Sequence, residues 1–174
     1  MLLMLQSERL YYRELLPRDD EAMFSLDSDP EVHRYLGNNP VTNIEQSRDY
    51  IKSIRQQYQD NGIGRMAVIL KETNEFIGWA GLKLEHNVND YAQFYDVGYR
   101  FMKKYWGNGY ATESALFFVD YGFNKLKLEK INACAMVEHI ASRRALEKSG
   151  LKFIENFDYG EGEMCAWYEI NNSN

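Results

Sequence analysis

The chain predicts a single α/β domain over residues 1–174: a mixed, mostly antiparallel sheet of roughly seven strands with helices on both faces. Three observations lead there. Short apolar or alternating runs of strand character recur at 9–14, 66–70, 76–84, 94–101, 130–136, 151–157 and 164–170. Between several of them, apolar residues return at three- and four-residue steps, the period of a helix with one buried face. The composition suits one ordinary domain, with 45% hydrophobic and 26% charged residues in a chain of 174.

Taken in order, Arg9 to Glu14 opens as a strand, with Leu10 and Tyr12 on one side and Tyr11 on the other. Met1 to Leu5 before it reads as a lead-in, too short and without the basic flank of a signal peptide. Pro17-Arg18-Asp19-Asp20 starts a helix, since proline suits a first turn and acidic groups suit the positive end. Ala22, Met23 and Leu26 give it an apolar face. Pro30 ends that segment, Glu31 to Leu36 makes another helical turn, and Gly37 to Pro40 is a loop. Thr42-Asn43-Ile44-Glu45 has capping-box spacing, with Thr42 as N-cap. The helix it starts runs to about Gln59 with Ile44, Ser47, Ile51, Ile54 and Tyr58 as its buried stripe, and Asp60-Asn61-Gly62 stops it.

Met66 to Leu70 and Phe76 to Leu84 are strands joined by the turn Glu72 to Glu75. Gly78 and Gly81 within the second predict a bulge or a close backbone approach. Glu85 to Asp90 forms a polar loop, and Phe94 to Phe101 is the central strand. A helix follows, with Ala111, Ala115, Phe118, Val119 and Gly122 on one face. Lys130 to Met136 is a strand. Ala141 to Ser149 is a helix closed by Gly150, where a left-handed C-cap would sit. The last two strands, Leu151 to Phe157 and Met164 to Ile170, are joined by the acidic turn Asp158 to Glu163, and Asn171 onward reads as a frayed tail.

The formal net charge of -6 argues against non-specific nucleic-acid binding, which rests on dense Lys and Arg, and is compatible with a cationic, amine-bearing substrate. No run approaches the about 18 apolar residues of a membrane helix. Cys134 and Cys165 lie far apart in apolar runs and read as buried free thiols in a reducing, cytoplasmic setting. His33, His86 and His139 are scattered, so no metal is expected. A homodimer is compatible with the chain.

The functional signal lies in the stretch Asp96 to Asn124. A strand, Val97 to Phe101, leads through Lys103-Lys104-Tyr105-Trp106-Gly107-Asn108-Gly109 into a helix. The first N–H groups of a helix have no partner inside it, and its dipole places partial positive charge there. Glycine lets the backbone approach a phosphate closely. The spacing fits neither a P-loop nor the dinucleotide fingerprint, where Thr112 stands in place of a third Gly or Ala. On glycines alone, a plain strand-to-helix turn remains the alternative.

The run Gly107 to Glu113, followed by Ser142-Arg143-Arg144-Ala145-Leu146-Glu147-Lys148-Ser149-Gly150-Leu151, resembles the GNAT superfamily of N-acetyltransferases. Asp29 to Leu36 and Phe76-Ile77-Gly78 extend the likeness over nearly the whole chain. Within the family it looks like the branch of ribosomal-protein N-terminal acetyltransferases. The resemblance implies the GNAT acyl-CoA N-acyltransferase fold, with acetyl-CoA as co-substrate and an amine as acceptor, a protein N-terminus or a small molecule. It implies that Gly107, Asn108, Gly109, Tyr110, Ala111 and Thr112 hold the pyrophosphate. The strand at Tyr99, Arg100 and Phe101, splayed from Ile131 to Met136, would bind the pantetheine arm and offer the oxyanion donor. Where the family carries Gln or Arg before the first glycine, this chain has Trp106. Where it carries Asn before the later serine, this chain has His139, a candidate contact to the CoA arm. Tyr35 is a candidate acceptor contact.

Acetyl transfer to an amine needs a proton acceptor, because a free alkylamine titrates near about 10 and the ammonium is no nucleophile. It needs an N–H donor for the oxyanion, and the leaving thiolate can be helped by an acid. Ser142 aligns with a serine that contacts the leaving sulfur in relatives; a helix-start cap is its alternative role. Many relatives carry a tyrosine acid where Leu146 stands here. For the base, Asp96 ranks first and Glu85 second, with Glu161 in the last turn a third choice. Two other functions fit the same residues: a catalytically silent acyl-CoA-binding or sensor domain, and a nucleotide-binding domain.

Overall fold

The computed structural model describes residues 4–173. Eight strands form one sheet: β1 (Met4–Gln6), β2 (Leu10–Glu14), β3 (Met66–Leu70), β4 (Glu75–Val88), β5 (Tyr91–Phe101), β6 (Lys130–Met136), β7 (Lys152–Asp158) and β8 (Met164–Asn171). Their spatial order is β1-β2-β3-β4-β5-β6-β8-β7. Every neighbouring pair is antiparallel except β5 and β6, which run parallel. The strand beyond the seven expected is β1. Its three residues pair with β2 from Met4↔Arg13 to Gln6↔Tyr11, so the lead-in joins the sheet edge through its backbone, a bond that leaves no periodicity to read. Residues 1–3 of that lead-in lie outside the described residues.

The helices α1 (Asp20–Asp27), α2 (Pro30–His33) and α3 (Ile44–Asn61) cover one face, and α4 (Tyr110–Asn124) and α5 (Ile140–Lys148) the other. Alternation along the strands sorts the side chains. Val68, Ala80, Leu82, Val97 and Ile131 meet Ala115 and Phe118 of α4, whereas Ala67, Ile69 and Trp79 meet Met23, Leu26, Ile51 and Ile54. Ser47, Ile51 and Ile54 of the expected α3 stripe are buried. The capping box of α3 sits one residue later than expected: the Asn43 side chain accepts from Gln46 N–H at 3.2 Å, and Gln46 Oε1 accepts from Asn43 N–H at 3.2 Å and Thr42 N–H at 2.7 Å. Asparagine caps as well as threonine, and glutamine reaches back as well as glutamate.

The polar stretch 85–90 is not a loop. β4 and β5 form one long hairpin paired from Gly78↔Phe101 to Val88↔Tyr91, and the turn is only Asn89-Asp90, both at positive φ. A two-residue turn of this hand matches strand twist, and exposed strand ends tolerate polar side chains. Gly78 is a close approach, as expected: a Cβ there would lie 2.1 Å from the Arg100 carbonyl oxygen. The register of β3 on β4 shifts at Val68/Ile69, opposite it. The C-terminal tail is held as far as Asn172, whose N–H donates to Glu129 O at 2.8 Å and whose Nδ2 donates to Leu128 O at 3.1 Å. Among the described residues, no helix is long and apolar enough to cross a membrane.

Candidate active site

The sheet has one seam. β5 and β6 share a single paired position, Asp96↔Asn132, and diverge beyond it. Which groups face the resulting gap follows from hydrogen-bond parity. Met102 N–H donates to Ile77 O, and Nη1 of Arg65 donates to both Gly81 O and Asp96 O. One nitrogen reaches both carbonyls only if both lie between β4 and β5. Asp96, Gly98 and Arg100 therefore spend their main-chain groups on β4, and Val97, Tyr99 and Phe101 turn theirs toward β6. Past the shared position, no β6 partner remains for Tyr99 and Phe101. The Phe101 carbonyl is taken by the Trp106 indole N–H at 2.8 Å. The N–H groups of Tyr99 and Phe101 and the carbonyl of Tyr99 border the gap.

The glycine loop stands at the end of β5. Gly107 and Gly109 have φ of +77° and +80°, a left-handed conformation that glycine adopts without steric cost. Asn108 braces the loop, its Nδ2 donating to Tyr105 O at 3.0 Å and Trp106 O at 3.2 Å. The first bond within α4 is Glu113 N–H to Gly109 O at 3.0 Å, and Gly109 brings no capping side chain. The amides of Tyr110, Ala111 and Thr112 thus have no acceptor in the helix and form the positive end of its dipole. The side chains of Tyr110 and Ala111 pack on the core, so these two residues can offer a phosphate only their backbone.

Across the gap lies the first turn of α5. Tyr99 Oη donates to Ser142 O at 2.9 Å and sits 3.1 Å from Ser142 Oγ. Burial raises the Tyr99 phenol well above its ordinary value, so it stays protonated. Ser142 is inside the helix rather than at its cap, a place held by His139. The His139 ring stacks on Tyr35, centroids 4.3 Å apart and planes at 12°, and burial lowers its pKa. Tyr35 and His139 thereby join the α2 side of the gap to the α5 side. Leu146, in the place of the tyrosine acid, is a core residue at 2% exposure.

Arg100 is not brought to the gap. Its main chain bonds toward β4 and its side chain leaves on the opposite face, where it pairs with Asp27 at 2.6 Å and lies over Trp79. Strand alternation alone separates it from Tyr99 and Phe101. The carboxylates also differ from one another. Asp96 is 8% exposed and held by Arg65, itself 6% exposed. Burial pushes the Asp96 carboxyl upward, and the Arg65 charge opposes that shift. Glu85, diagonal to Asp96 across the β4–β5 pair, has a side chain 26% exposed and pairs with Lys83 at 2.5 Å. Glu161 sits exposed in the β7–β8 turn at φ +55°. Tyr159 of that turn is 53% exposed, and partial burial together with the neighbourhood of Cys134, Glu85 and Asp96 pushes its phenol up to about 12.

Two residues of the site carried no sequence signal. Arg9 clamps the glycine loop from the β1–β2 turn: Nη1 donates to Asn108 O at 2.8 Å, Nε pairs with Glu113 at 2.7 Å, and the guanidinium lies 4.6 Å over the Tyr110 ring. Glu113 also accepts from Ser7 Oγ at 2.6 Å and Arg9 N–H at 2.8 Å. Burial acts upward on its carboxyl, but these bonds outweigh it and hold the pKa below the ordinary value. Arg65 is the second, a buried cation before β3 that ties β4 to β5. Each works across 104 or 31 residues of chain, a distance no local pattern spans. Both cysteines are unbridged, Cys165 buried and Cys134 partly so.

Comparison with known proteins bears on this arrangement. A profile of the acetyltransferase (GNAT) domain family matches residues 9–152. The uncharacterized N-acetyltransferase p20 of Bacillus licheniformis is 31% identical over 94% of this chain and 92% of its own length. A GNAT-family acetyltransferase from Bacillus anthracis superposes with a TM-score of 0.80 at 26% identity, covering 99% of this chain and 100% of that one. RimL, a ribosomal L7/L12 alpha-N-protein acetyltransferase solved in complex with coenzyme A, superposes with a TM-score of 0.80 over 97% and 98% of the two chains. At 13% identity it shares the fold.

Proposed function

Since the chain belongs to the acetyltransferase (GNAT) domain family, we propose that it transfers the acetyl group of acetyl-CoA directly to a primary amine within a ternary complex. The amides of Tyr110, Ala111 and Thr112, with the glycine backbone at Gly107 to Gly109, hold the pyrophosphate. The pantetheine arm lies along the open edge of β5 as an added strand would, and the Tyr99 or Phe101 N–H polarises the thioester carbonyl as the oxyanion develops. Ser142 faces the leaving sulfur, and His139 borders the arm. The acceptor enters from the face that carries Glu85, Asp96 and Tyr159. Glu85 takes the amine proton through water, because its side chain is the more accessible of the two, 26% exposed against 12% for Asp96, whose carboxylate is enclosed with Arg65. The acceptor is either a protein N-terminus or a small amine.

The observation that carries this reading is the single β5–β6 pairing, which leaves unpaired amides along a slot that opens beside the glycine loop. The test is thiol release from acetyl-CoA against two panels, small amines and peptides with free N-termini. Release that depends on one panel is the expected result. Tight binding of acetyl-CoA without release in either panel would make the protein an acyl-CoA sensor instead. Protection from heat by ATP or NAD, and none by coenzyme A, would make it a nucleotide-binding domain.

A further inference from the structure

Within that proposed reaction, the position that many relatives fill with a tyrosine acid is a buried leucine, Leu146, so the leaving sulfur lacks that partner. The geometry points to Tyr99 as the positioning residue that replaces it from the opposite wall of the gap: its hydroxyl holds the Ser142 hydroxyl in place to donate to the leaving sulfur.

Three features support the assignment. The first is the bond pattern of Ser142. A serine in or at the end of a helix can turn its hydroxyl back onto the carbonyl four residues earlier, as the C-cap Ser149 does onto Ala145 O at 2.6 Å. Ser142 Oγ instead meets Tyr99 Oη at 3.1 Å, and that phenol is anchored by donating to Ser142 O at 2.9 Å. In the resting geometry the phenol accepts the Ser142 hydroxyl proton; when that proton turns to a thiolate, the phenol O–H turns from Ser142 O to Ser142 Oγ, so the two hydroxyls stay bonded. The second is location. Tyr99 presents its main-chain N–H to the gap while its side chain spans to α5, so one residue touches the place where the carbonyl oxygen gains charge and orients the group that meets the sulfur. The third is protonation. With its pKa raised by burial, the phenol remains a neutral donor across the working range and does not compete with substrate as an acid.

The step balances without a covalent change at Tyr99. The amine lone pair forms the C–N bond, and the C–S bond breaks with its electron pair going to sulfur. The amine proton passes to Glu85 and solvent. As the Ser142 O–H turns to the sulfur anion, the Tyr99 O–H turns from Ser142 O to Ser142 Oγ and holds it there.

The experiment compares the wild-type protein with Tyr99→Phe, Ser142→Ala and the double variant. Calorimetric titration with acetyl-CoA comes first. If the wild-type protein binds none, the functional reading has failed, and Tyr99 with it. If it binds, Tyr99→Phe is expected to bind within about twofold and to lose about 10–100-fold in kcat, about one charge-assisted hydrogen bond's worth. The thiolate absorbance of bound coenzyme A, followed against pH, should show the thiol ionising about one unit higher in Tyr99→Phe than in wild type. The double variant should be no slower than Ser142→Ala, because groups that act as a unit are not additive. Should Tyr99→Phe fail to fold, Ser142→Ala alone must raise the bound thiol's ionisation pH. Multiplicative losses in the double variant, or a bound thiol whose ionisation none of the substitutions moves, would overturn the proposal.

Discussion

Replacing Asp96 by Asn separates two roles that the same residue has been given. The carboxylate is 8% exposed and its partner Arg65 is 6% exposed, while Arg65 also bonds Gly81 O and Asp96 O. Removing one partner of such a pair leaves a buried charge uncompensated, at about 3–5 kcal/mol. Asparagine keeps one oxygen facing the guanidinium, so the lower end, about 3 kcal/mol, is expected. For a chain of this length that lowers Tm by about 6–12 °C. Urea unfolding followed by circular dichroism reads the loss as a lower midpoint at unchanged slope. Adding Arg65→Gln removes the stranded charge, and the double variant should be no less stable than the single one. Turnover measured well below Tm should fall less than tenfold. An unchanged urea midpoint together with a hundredfold loss of kcat/KM would refute this reasoning and make Asp96 the proton acceptor.

Other outcomes follow from the same geometry. Gly107→Ala adds a Cβ with nothing within 4 Å, so the protein loses only the about 1–2 kcal/mol of a left-handed alanine; if the loop holds pyrophosphate as proposed, the affinity for acetyl-CoA measured by calorimetry drops by about tenfold because the methyl obstructs the approach to the backbone. Arg9→Ala and Glu113→Gln each free the glycine loop and should weaken acetyl-CoA binding several-fold, with the double variant little worse than either, as fluorescence titration would show. His139 is depressed by burial from 6.5, so the unfolded chain binds its proton first. Its contribution to stability is complete above pH 6.5 and is lost as pH falls from there through the folded value. His139→Asn should therefore flatten the urea midpoint against pH in that window and leave the midpoint at pH 8 with no pH slope from this group.

The glycine loop and the strand before it were readable because their geometry is local. A left-handed residue, a helix N-terminus and a strand end within fifteen residues need no partner from elsewhere. The same holds for the α3 stripe and for Gly78, whose close approach is forced by the missing Cβ alone. The α3 cap slipped by one residue because Thr42 and Asn43 are equivalent oxygen acceptors, and only the helix axis picks between them. Glu85 to Val88 reads as loop by composition, but an exposed hairpin arm takes polar residues without cost. The resemblance groups Arg100 with Tyr99 and Phe101, but strand alternation sends its side chain to the far face.

Periodicity, glycine placement and the unsatisfied ends of helices are properties of a short stretch of chain, so the residues themselves dictated the layered α/β class and the glycine loop at the uncapped start of α4. The gap between β5 and β6 is of another kind. It exists because two strands separated by a helix pair at one position, Asp96↔Asn132. The bridge from Tyr99 to Ser142, the Arg9 clamp and the Arg65 tie each join groups distant in sequence. Their energies depend on burial and on a fixed separation of a few ångströms, and those quantities come into being only when the whole sheet has closed.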